Sequence, residues 1–444
     1  MSYISKCLKY GTCLTAFWTA VPDAATAQTA VVGVGEGVIY DTPQGVEEDF
    51  VYDLFVFYDS PASVRTGRRL SQARGVHDAL RGDVKGIEKD YNDFKKDLAK
   101  KYGLNYSADV SFLAQKGVPN GGKTAMQTIY APTASWTMFD SEEYGSGTIT
   151  ASYTAVRYWG NNADNIADRL YLADGINDFT TKANNFDELS YTQTLFGRHL
   201  TILLGQYSLY DLDGSQYNSN QQVNFINYAL SQNATATYAI AGLGAYMQFN
   251  PVSELAIAGG FQDASNINAR GISTSNLHKK RFTTFGEISF MPNIPDVGQG
   301  QYSVMVYNQP SVDEQPENTT GWSVNLSQFF SEKLGVFARA NGVTGDVLPV
   351  SQSYTLGFVV NNPFNRQPLD QFGLSGAVNK VDKGYYAGTN TPLRRWESVA
   401  EGYYTVGITQ FLAITPDVQL YIHPAERTQR DFGTVFSVRA TVLF

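Results

Sequence analysis

Cysteine, histidine and long apolar runs are scarce in this sequence, and each shortage excludes a class of protein. The 444 residues contain two cysteines and four histidines, and the histidines show no metal-ligand spacing such as H-E-x-x-H. No G-x-S-x-G nucleophile motif is present, and no stretch approaches the roughly 18 consecutive apolar residues of a membrane-spanning helix. The sequence therefore predicts neither an enzyme nor a helical membrane protein, and neither a bound metal nor a cofactor.

Positive charge is also in short supply, whereas aromatic residues are abundant. Lysine and arginine number 33 against 42 aspartate and glutamate residues, which leaves a net charge of −9. A nucleic-acid partner held through its phosphates is therefore not expected. The 28 tyrosines and 26 phenylalanines favour β-structure and surfaces that are partly apolar and partly wet.

The first 27 residues have the features of an export signal. Lys6 and Lys9 give a positively charged start, 13–21 forms a short apolar core, and an A-x-A cleavage site ends at Ala27. A buried N-terminal helix is the alternative, but nine apolar-leaning residues before a proline are few for one. We predict that residues 1–27 are a signal peptide. Both cysteines lie within it, so the mature chain would contain no disulfide bond.

One amphipathic helix is predicted ahead of the strands. Over 84–102, apolar residues recur every three or four positions, and Asp83 and Gly103 are suitable capping residues at its two ends. Lysines in its last turns suit the negative C-terminal pole of the helix dipole. The preceding stretch, 28–83, carries one strand-like run and supports no further prediction. The apolar stripe that would dock the helix consists of Ile87, Tyr91, Phe94 and Leu98.

From Leu104 onward the helical period gives way to an alternation of apolar and polar residues, which marks strands with two different faces. In the closing run, 432–444, apolar residues occupy one parity, and Ser437, Arg439 and Thr441 occupy the other. Many runs reach ten residues or more, which matches a tilted membrane strand of about 9–11 residues better than the soluble average of about 5–6. About sixteen strands are predicted, near 104–115, 124–138, 147–159, 187–196, 199–210, 237–250, 252–263, 281–291, 300–309, 320–330, 333–342, 351–361, 371–381, 396–411, 413–423 and 433–444.

The connections between these runs predict a closed barrel in the bacterial outer membrane. Tight links such as 331–333 alternate with long polar stretches such as 211–236, as periplasmic turns and external loops do in outer-membrane barrels. Every backbone N–H and C=O group must pair in lipid, so the last strand must close on the first. We therefore predict an all-β protein, a closed antiparallel transmembrane barrel of about 16 strands over 104–444. A periplasmic segment, 28–103, would precede the barrel and carry the helix.

Charged and polar residues on the inward parity are the candidate site. In a water-filled lumen such charges tune selectivity, whereas on the lipid face they are costly. Arginine forks and carboxylates placed close together can bind sugar hydroxyls and oppose bulk ion flow. The alternative, that these charges are solvated and contribute only to solubility, stays open. The candidate pore-lining or solute-contacting residues are Asp109, Glu287, Arg339, Glu401, Gln419, Tyr421 and Arg439.

Several stretches of the second half resemble the carbohydrate-selective porin (OprB) family. They are "ELSYTQTLFGRHLTILLGQYSLYD" (188–211), "LGVFARAN" (334–341), "ESVAEGYY" (397–404) and "TPDVQLYIHP" (415–424). The resemblance extends over 188–444 and adds weight to Arg339 and Glu401, which lie within two of these stretches. It implies a sixteen-stranded, monomeric barrel that passes sugars by diffusion and is narrowed by inward loops and charged residues.

The partners implied by this resemblance are carbohydrates, either mono- or oligosaccharides. The predicted barrel adds the surrounding outer-membrane lipid as a further partner. Two other functions stay open at this point. The first is a general porin for ions and other small polar solutes. The second is a structural or adhesive barrel, which would carry the same strands around a blocked lumen.

Overall fold

The computed structural model describes residues 87–443 except 142, 198, 216, 332, 368 and 410. The predicted signal peptide, the stretch that follows it up to residue 86, and the final phenylalanine lie outside the described residues. Within the described part of the chain, no helix is both long and apolar enough to cross a membrane.

Helix α1, Ile87–Tyr102, precedes the first strand, so the predicted N-terminal helix is confirmed over the described part of its range. Gly103 ends the helix with φ +66°, and a Cβ there would lie 2.2 Å from the carbonyl oxygen of Thr137. Only glycine fits both the left-handed conformation and this close approach. The Gly103 carbonyl accepts a hydrogen bond from the Thr137 N–H at 2.8 Å, which joins the end of the helix to the sheet.

Sixteen antiparallel strands form one closed sheet, and most of their positions agree to within a few residues with those predicted from the period-two alternation. The predicted strands 199–210 and 237–250 extend too far toward each other: the observed strands are Leu200–Tyr207 and Gly242–Val252, because 208–241 leaves the wall and buries Leu209 and Tyr238 among other apolar side chains. An additional two-residue strand, β9 (Asn293–Ile294), pairs only with the start of β10. The wall strands are β1 (Leu104–Val118), β2 (Ala125–Ser141), β3 (Gly145–Gly160), β4 (Ala183–Leu195), β5 (Leu200–Tyr207), β6 (Gly242–Val252), β7 (Leu255–Asp263), β8 (Phe282–Phe290), β10 (Gly298–Gln309), β11 (Thr319–Phe329), β12 (Leu334–Val343), β13 (Val350–Asn361), β14 (Gln371–Val381), β15 (Trp396–Gly407), β16 (Leu412–Ile422) and β17 (Phe432–Val442).

The barrel closes between its first and last strands. Strand β1 pairs with β2 on one side and with β17 on the other, with Val110 opposite Val442 and Val118 opposite Thr434. All other wall strands pair with their neighbours in the sequence, and β8 pairs directly with β10, although the short β9 lies between them in the chain. No edge of the wall is therefore left open, as a sheet in lipid requires.

The two faces of the wall are inverted relative to a water-soluble protein. On β17, Ser437 and Arg439 point inward and are buried, while Phe436 and Val438 point outward and are 51% and 52% exposed. The same pattern recurs around the wall, for example at Leu356 on β13, which is 64% exposed. An apolar exterior around a polar interior is the arrangement of a barrel surrounded by lipid.

The two ends of the barrel differ in the length of their connections. Most links at one end are short, such as 253–254 and 408–411, with 291–297 and 362–370 as longer exceptions, and those at the other end include 161–182, 208–241 and 264–281. The prediction of short turns at one end and long loops at the other is therefore confirmed. By analogy with outer-membrane barrels, the short-turn end is the periplasmic one.

Helix α1 lies at the short-turn end. The Tyr91 ring packs edge-on against Phe411 in the β15–β16 turn, with 5.9 Å between the ring centroids. The Lys95 ammonium lies 5.1 Å from the ring centroid of Tyr106 on β1. Phe94 is 54% exposed, so the prediction that this residue docks the helix is wrong, because the wall occupies only part of the apolar stripe.

Candidate functional site

The two longest loops of the described chain fold into the barrel and pack against its inner wall. The first inward loop, 161–182, carries helix α2 (Ala163–Leu170), and the second inward loop, 208–241, carries the single turn α3 (Tyr228–Ser231). Ile176 of the first and Phe225 of the second are fully buried. Apolar side chains in these otherwise polar loops find an apolar surface only inside the barrel, because the lumen wall there carries aromatic residues.

Aromatic rings of the inner wall hold the second inward loop. The Phe225 ring lies between Phe337 on β12 and Tyr403 on β15, with centroid distances of 5.5 and 4.9 Å. Tyr238 lies against Tyr307 on β10 at 4.8 Å. Edge-on and tilted contacts of this kind add to the free energy of apolar burial. The loop is therefore fixed to the wall at two separated places.

These wall rings lie over glycines of the neighbouring strands. The three directly opposite pairs are Tyr307–Gly321, Phe337–Gly357 and Tyr403–Gly373. A Cβ at Gly373 would lie 2.3 Å from a ring atom of Tyr403, so the ring can lie along the sheet only because that side chain is absent. A glycine on the neighbouring strand thus allows each of these aromatic rings to lie flat along the inner wall.

Strand β15 presents two glutamates to the main chain of the inward loops. The Glu401 carboxylate accepts hydrogen bonds from the N–H groups of Ile226 and Asn227 at 2.6 and 2.8 Å. The Glu397 carboxylate accepts them from Ala173 and Asp174 at 3.1 and 3.0 Å. Both glutamates are fully buried, and each carboxylate satisfies two consecutive buried N–H groups of one loop.

Two arginines bind the carbonyl groups of the second inward loop. Arg439 on β17 donates through Nη1 to the carbonyl oxygen of Asn224 at 2.7 Å and also to that of Gln221. Arg339 on β12 donates through Nη2 to the carbonyl oxygen of Asn218 at 2.6 Å. Both arginines are at most 2% exposed. Carboxylates of the wall therefore bind loop N–H groups, and guanidinium groups bind loop carbonyls.

Gln419 and Tyr421 on β16 lie where the two loops meet. Gln419 donates through Nε2 to the carbonyl oxygen of Ile176 at 3.0 Å, and the Tyr421 hydroxyl donates to Gln419 Oε1 at 2.8 Å. Asn227 of the second loop donates through Nδ2 to the Tyr421 hydroxyl at 2.8 Å and to the carbonyl oxygen of Gly175 at 3.0 Å. This side chain connects both loops and the wall.

The structure brings five of the seven candidate residues against the inward loops: Arg339, Glu401, Gln419, Tyr421 and Arg439. The other two, Asp109 on β1 and Glu287 on β8, lie on the inward face as well and are 2% and 4% exposed. Glu287 Oε1 accepts a hydrogen bond from the Ser289 hydroxyl at 2.8 Å. Contact of any of the seven with a solute stays a prediction.

Sequence reasoning missed Glu397 and the loop residue Asp213. Glu397 has the same inward parity as Glu401 and stands four residues before it, so its position in the alternation was the available signal. Asp213 accepts hydrogen bonds from Ser323 and Asn325 on β11 at 2.7 and 2.8 Å, and from Asn233 within its own loop at 2.7 Å. Asp213 lies outside the alternating runs, so nothing in the sequence pattern marks it.

Half-buried polar residues mark a part of the inner wall that the loops leave accessible. Asn105 and Ser107 on β1 stand directly opposite Ser135 and Thr133 on β2, toward the short-turn end. Their side chains share the inward parity of Asp109 and are only partly covered. Hydroxyl and amide groups in this position can exchange hydrogen bonds with water or with a polar solute.

Known proteins resemble this chain in both sequence and fold. The family model described as carbohydrate-selective porin, OprB family, matches residues 94–444. The protein called Porin AaxA of Chlamydia pneumoniae is 42% identical over 344 residues, which are 76% of this chain and 78% of that protein. Its counterpart in Chlamydia abortus is 40% identical over 362 residues, 80% of this chain and 79% of that protein.

A solved structure shows the same fold. The high-pH structure of Pseudomonas putida OprB superposes with a TM-score of 0.65, covering 80% of this chain and 97% of that one at 16% sequence identity. At that identity the likeness concerns the fold alone. The family match, together with the closed wall and its lipid-facing exterior, makes this protein a porin of the outer membrane. The chain belongs to the carbohydrate-selective porin (OprB) family.

Proposed function

We propose that this porin lets carbohydrates, mono- or oligosaccharides, diffuse across the outer membrane through a water-filled pore that the two inward loops narrow. The observation that carries the proposal is the meeting of these loops with an inner wall of hydroxyl, amide and charged side chains. Sugars offer many hydroxyl groups and little charge, and neutral polar groups at a narrow passage match them. The family to which the chain belongs supports the same solute class.

The seven candidate residues are proposed to act on solute passage as parts of this constriction. Arg339, Glu401, Gln419, Tyr421 and Arg439 would act through the loops that they hold, because their side chains are almost fully buried. Asp109 and Glu287 would contribute negative charge from the wall. Charges near a narrow passage change the electrostatic free energy of a permeating ion more than that of a neutral sugar.

Export and topology complete the proposal. We propose that residues 1–27 are removed during export and that 28–103 lies in the periplasm. The position of α1 at the short-turn end supports the periplasmic assignment, because that end faces the periplasm in outer-membrane barrels. The barrel, 104–444, would work as a monomer.

Single-channel recordings test the proposed solute class. The full-length mature porin is inserted into a planar bilayer, and sugars of increasing size are added while the ion current is measured. A carbohydrate pore should show current block by oligosaccharides at concentrations where polyethylene glycols of the same hydrodynamic radius block less. Equal block by both solutes would overturn the proposal and leave a general porin. A lumen that conducts no current would leave a structural or adhesive barrel.

A further inference from the structure

Strand β15 carries two inward glutamates that bind different loops. Glu397 and Glu401 stand four residues apart on one face of the strand, and both are fully buried. Glu397 is bonded to the first inward loop and Glu401 to the second. At the same spacing, Thr405 also points inward, and its hydroxyl is bonded to that of Thr415 on β16 at 3.0 Å. Of these three inward positions on β15, Glu397 and Glu401 therefore bind loops, whereas Thr405 binds the wall.

The loop groups that the glutamates bind are themselves inaccessible to water. Ile226 and Asn227 are fully buried, and both direct their N–H groups at Glu401. A buried N–H group without an acceptor is destabilising, and a carboxylate has two oxygens that can accept both bonds at once. The local path of the second loop therefore depends on a wall residue about 175 positions away in the sequence.

Glu397 likewise accepts hydrogen bonds from main-chain N–H groups, here of two different segments. Besides the N–H groups of Ala173 and Asp174, its Oε2 atom accepts a hydrogen bond from the N–H of Ala425 at 2.8 Å. Ala425 belongs to the loop between β16 and β17 and is fully buried. One carboxylate consequently fixes the first inward loop and a neighbouring external loop to the wall.

The two inward loops also hold each other. Gly175 of the first loop accepts hydrogen bonds through its carbonyl oxygen from the N–H of Tyr228 at 3.1 Å and from Asn227 Nδ2 at 3.0 Å. Asp178 of the first loop accepts a hydrogen bond from the Ser231 hydroxyl. The loops therefore form one body inside the barrel with two attachments to β15.

We propose that Glu397 and Glu401 are positioning residues that set the width of the pore by holding the main chain of the two inward loops. Their burial prevents direct contact with a passing solute, so any effect on selectivity must act through the loops. Glu401 sets the path of the second loop, and Glu397 sets that of the first. This inference deepens the proposed function, and it can fail or hold independently of the solute class.

Matched substitutions separate the two attachments. Glu401→Gln and Glu397→Gln keep the size of each side chain but replace one acceptor oxygen by an NH2 group, which cannot accept a bond from a loop N–H. Thr405→Ala is the control, since it removes an inward polar group of the same strand that binds only the wall in the described bonds. Heat-modifiable migration of the full-length porin on gels establishes that each variant folds. If a glutamine variant does not fold, Glu→Asp at the same position replaces it, because the shorter side chain cannot reach both N–H groups.

The first measurement is amide hydrogen exchange of the folded porin, read by mass spectrometry. We expect Glu401→Gln to accelerate exchange at least tenfold in the peptide that contains Ile226 and Asn227. Glu397→Gln should do the same in the peptide that contains Ala173 and Asp174. Thr405→Ala should leave both peptides at the wild-type rate. Unchanged exchange in both glutamate variants, or equal acceleration by the threonine control, would overturn the proposal.

The second measurement is the size limit for neutral polyethylene glycols that enter the pore and reduce the single-channel current. Because these polymers are uncharged, the limit reports the width of the pore and does not depend on any change of charge at the two positions. Both glutamate variants should admit larger polymers than the wild type and the Thr405→Ala control. A wild-type limit in both would refute the positioning role. If the wild-type pore shows no sugar-selective block while these shifts occur, the carbohydrate assignment fails and the positioning role stands.

Discussion

A charge placed on the outer face of the wall should destabilise the protein in proportion to its depth in the membrane. Leu356 is the seventh residue of β13, near the middle of a strand of 12 residues, and is 64% exposed. Its cross-strand neighbours, Ala338 and Gly376, are small and leave an arginine at this position surrounded by hydrocarbon. Leu356→Arg should therefore lower the free energy of unfolding by about 2–4 kcal/mol, the range found for arginine at the bilayer midplane.

The matched control lies at the short-turn end. Phe364, in the link between β13 and β14, is 76% exposed, and an arginine there can reach water and lipid headgroups. Phe364→Arg should cost about 0–1 kcal/mol. Denaturant titrations of folding into vesicles, followed by heat-modifiable electrophoresis, measure both values. Equal costs at the two positions, or no cost at Leu356, would mean that this face of β13 does not contact hydrocarbon, and the assignment of the two faces would be wrong.

Three further substitutions, the first with a control variant, test the interior. Gly373→Ala should displace the ring of Tyr403 and cost about 1–3 kcal/mol in the same titrations, whereas Gly286→Ala, where a Cβ meets nothing within 4 Å, should cost much less. Phe225→Ala should remove about 3–5 kcal/mol of packing from the second inward loop, seen as faster proteolysis within that loop, and unchanged cleavage would contradict its role as an anchor. Burial raises the pKa of Asp178, in the first inward loop, to about 7. The folded state therefore binds this proton more tightly than the unfolded state, and stability should fall as pH rises from about 4 to 7. Asp178→Asn should flatten that part of the pH profile, and an identical profile in the variant would show that another group is responsible.

Prediction of the wall succeeded because each strand lies between two different solvents. Alternation with a period of two places every second side chain in lipid and the others in the lumen, so Phe436 and Ser437 can be assigned to faces from their order alone. In lipid the two edge strands of the sheet must also pair with each other, because unpaired backbone groups in hydrocarbon cost several kcal/mol each. The pairing of β1 with β17 follows from that requirement.

The inward loops could not be predicted in the same way. They carry no regular alternation, and their residues bind wall positions far away in the sequence, such as Asn227 with Glu401 at a separation of 174 residues. From the alternation, Arg439 and Glu401 are correctly predicted to face the lumen, but they are also predicted to be exposed to the solute. The structure shows instead that loop main chain covers both of them.

The local pattern of this sequence by itself determined the class, the number and the faces of the strands, and the closure of the wall. Those features depend on the solvent at each residue and on backbone pairing between neighbouring strands. Only the tertiary structure decided that Glu397 and Glu401 bind loop N–H groups and that Tyr403 lies over Gly373. The physical reason is that such contacts depend on which distant segments occupy the lumen together, and no period or short-range motif encodes that choice.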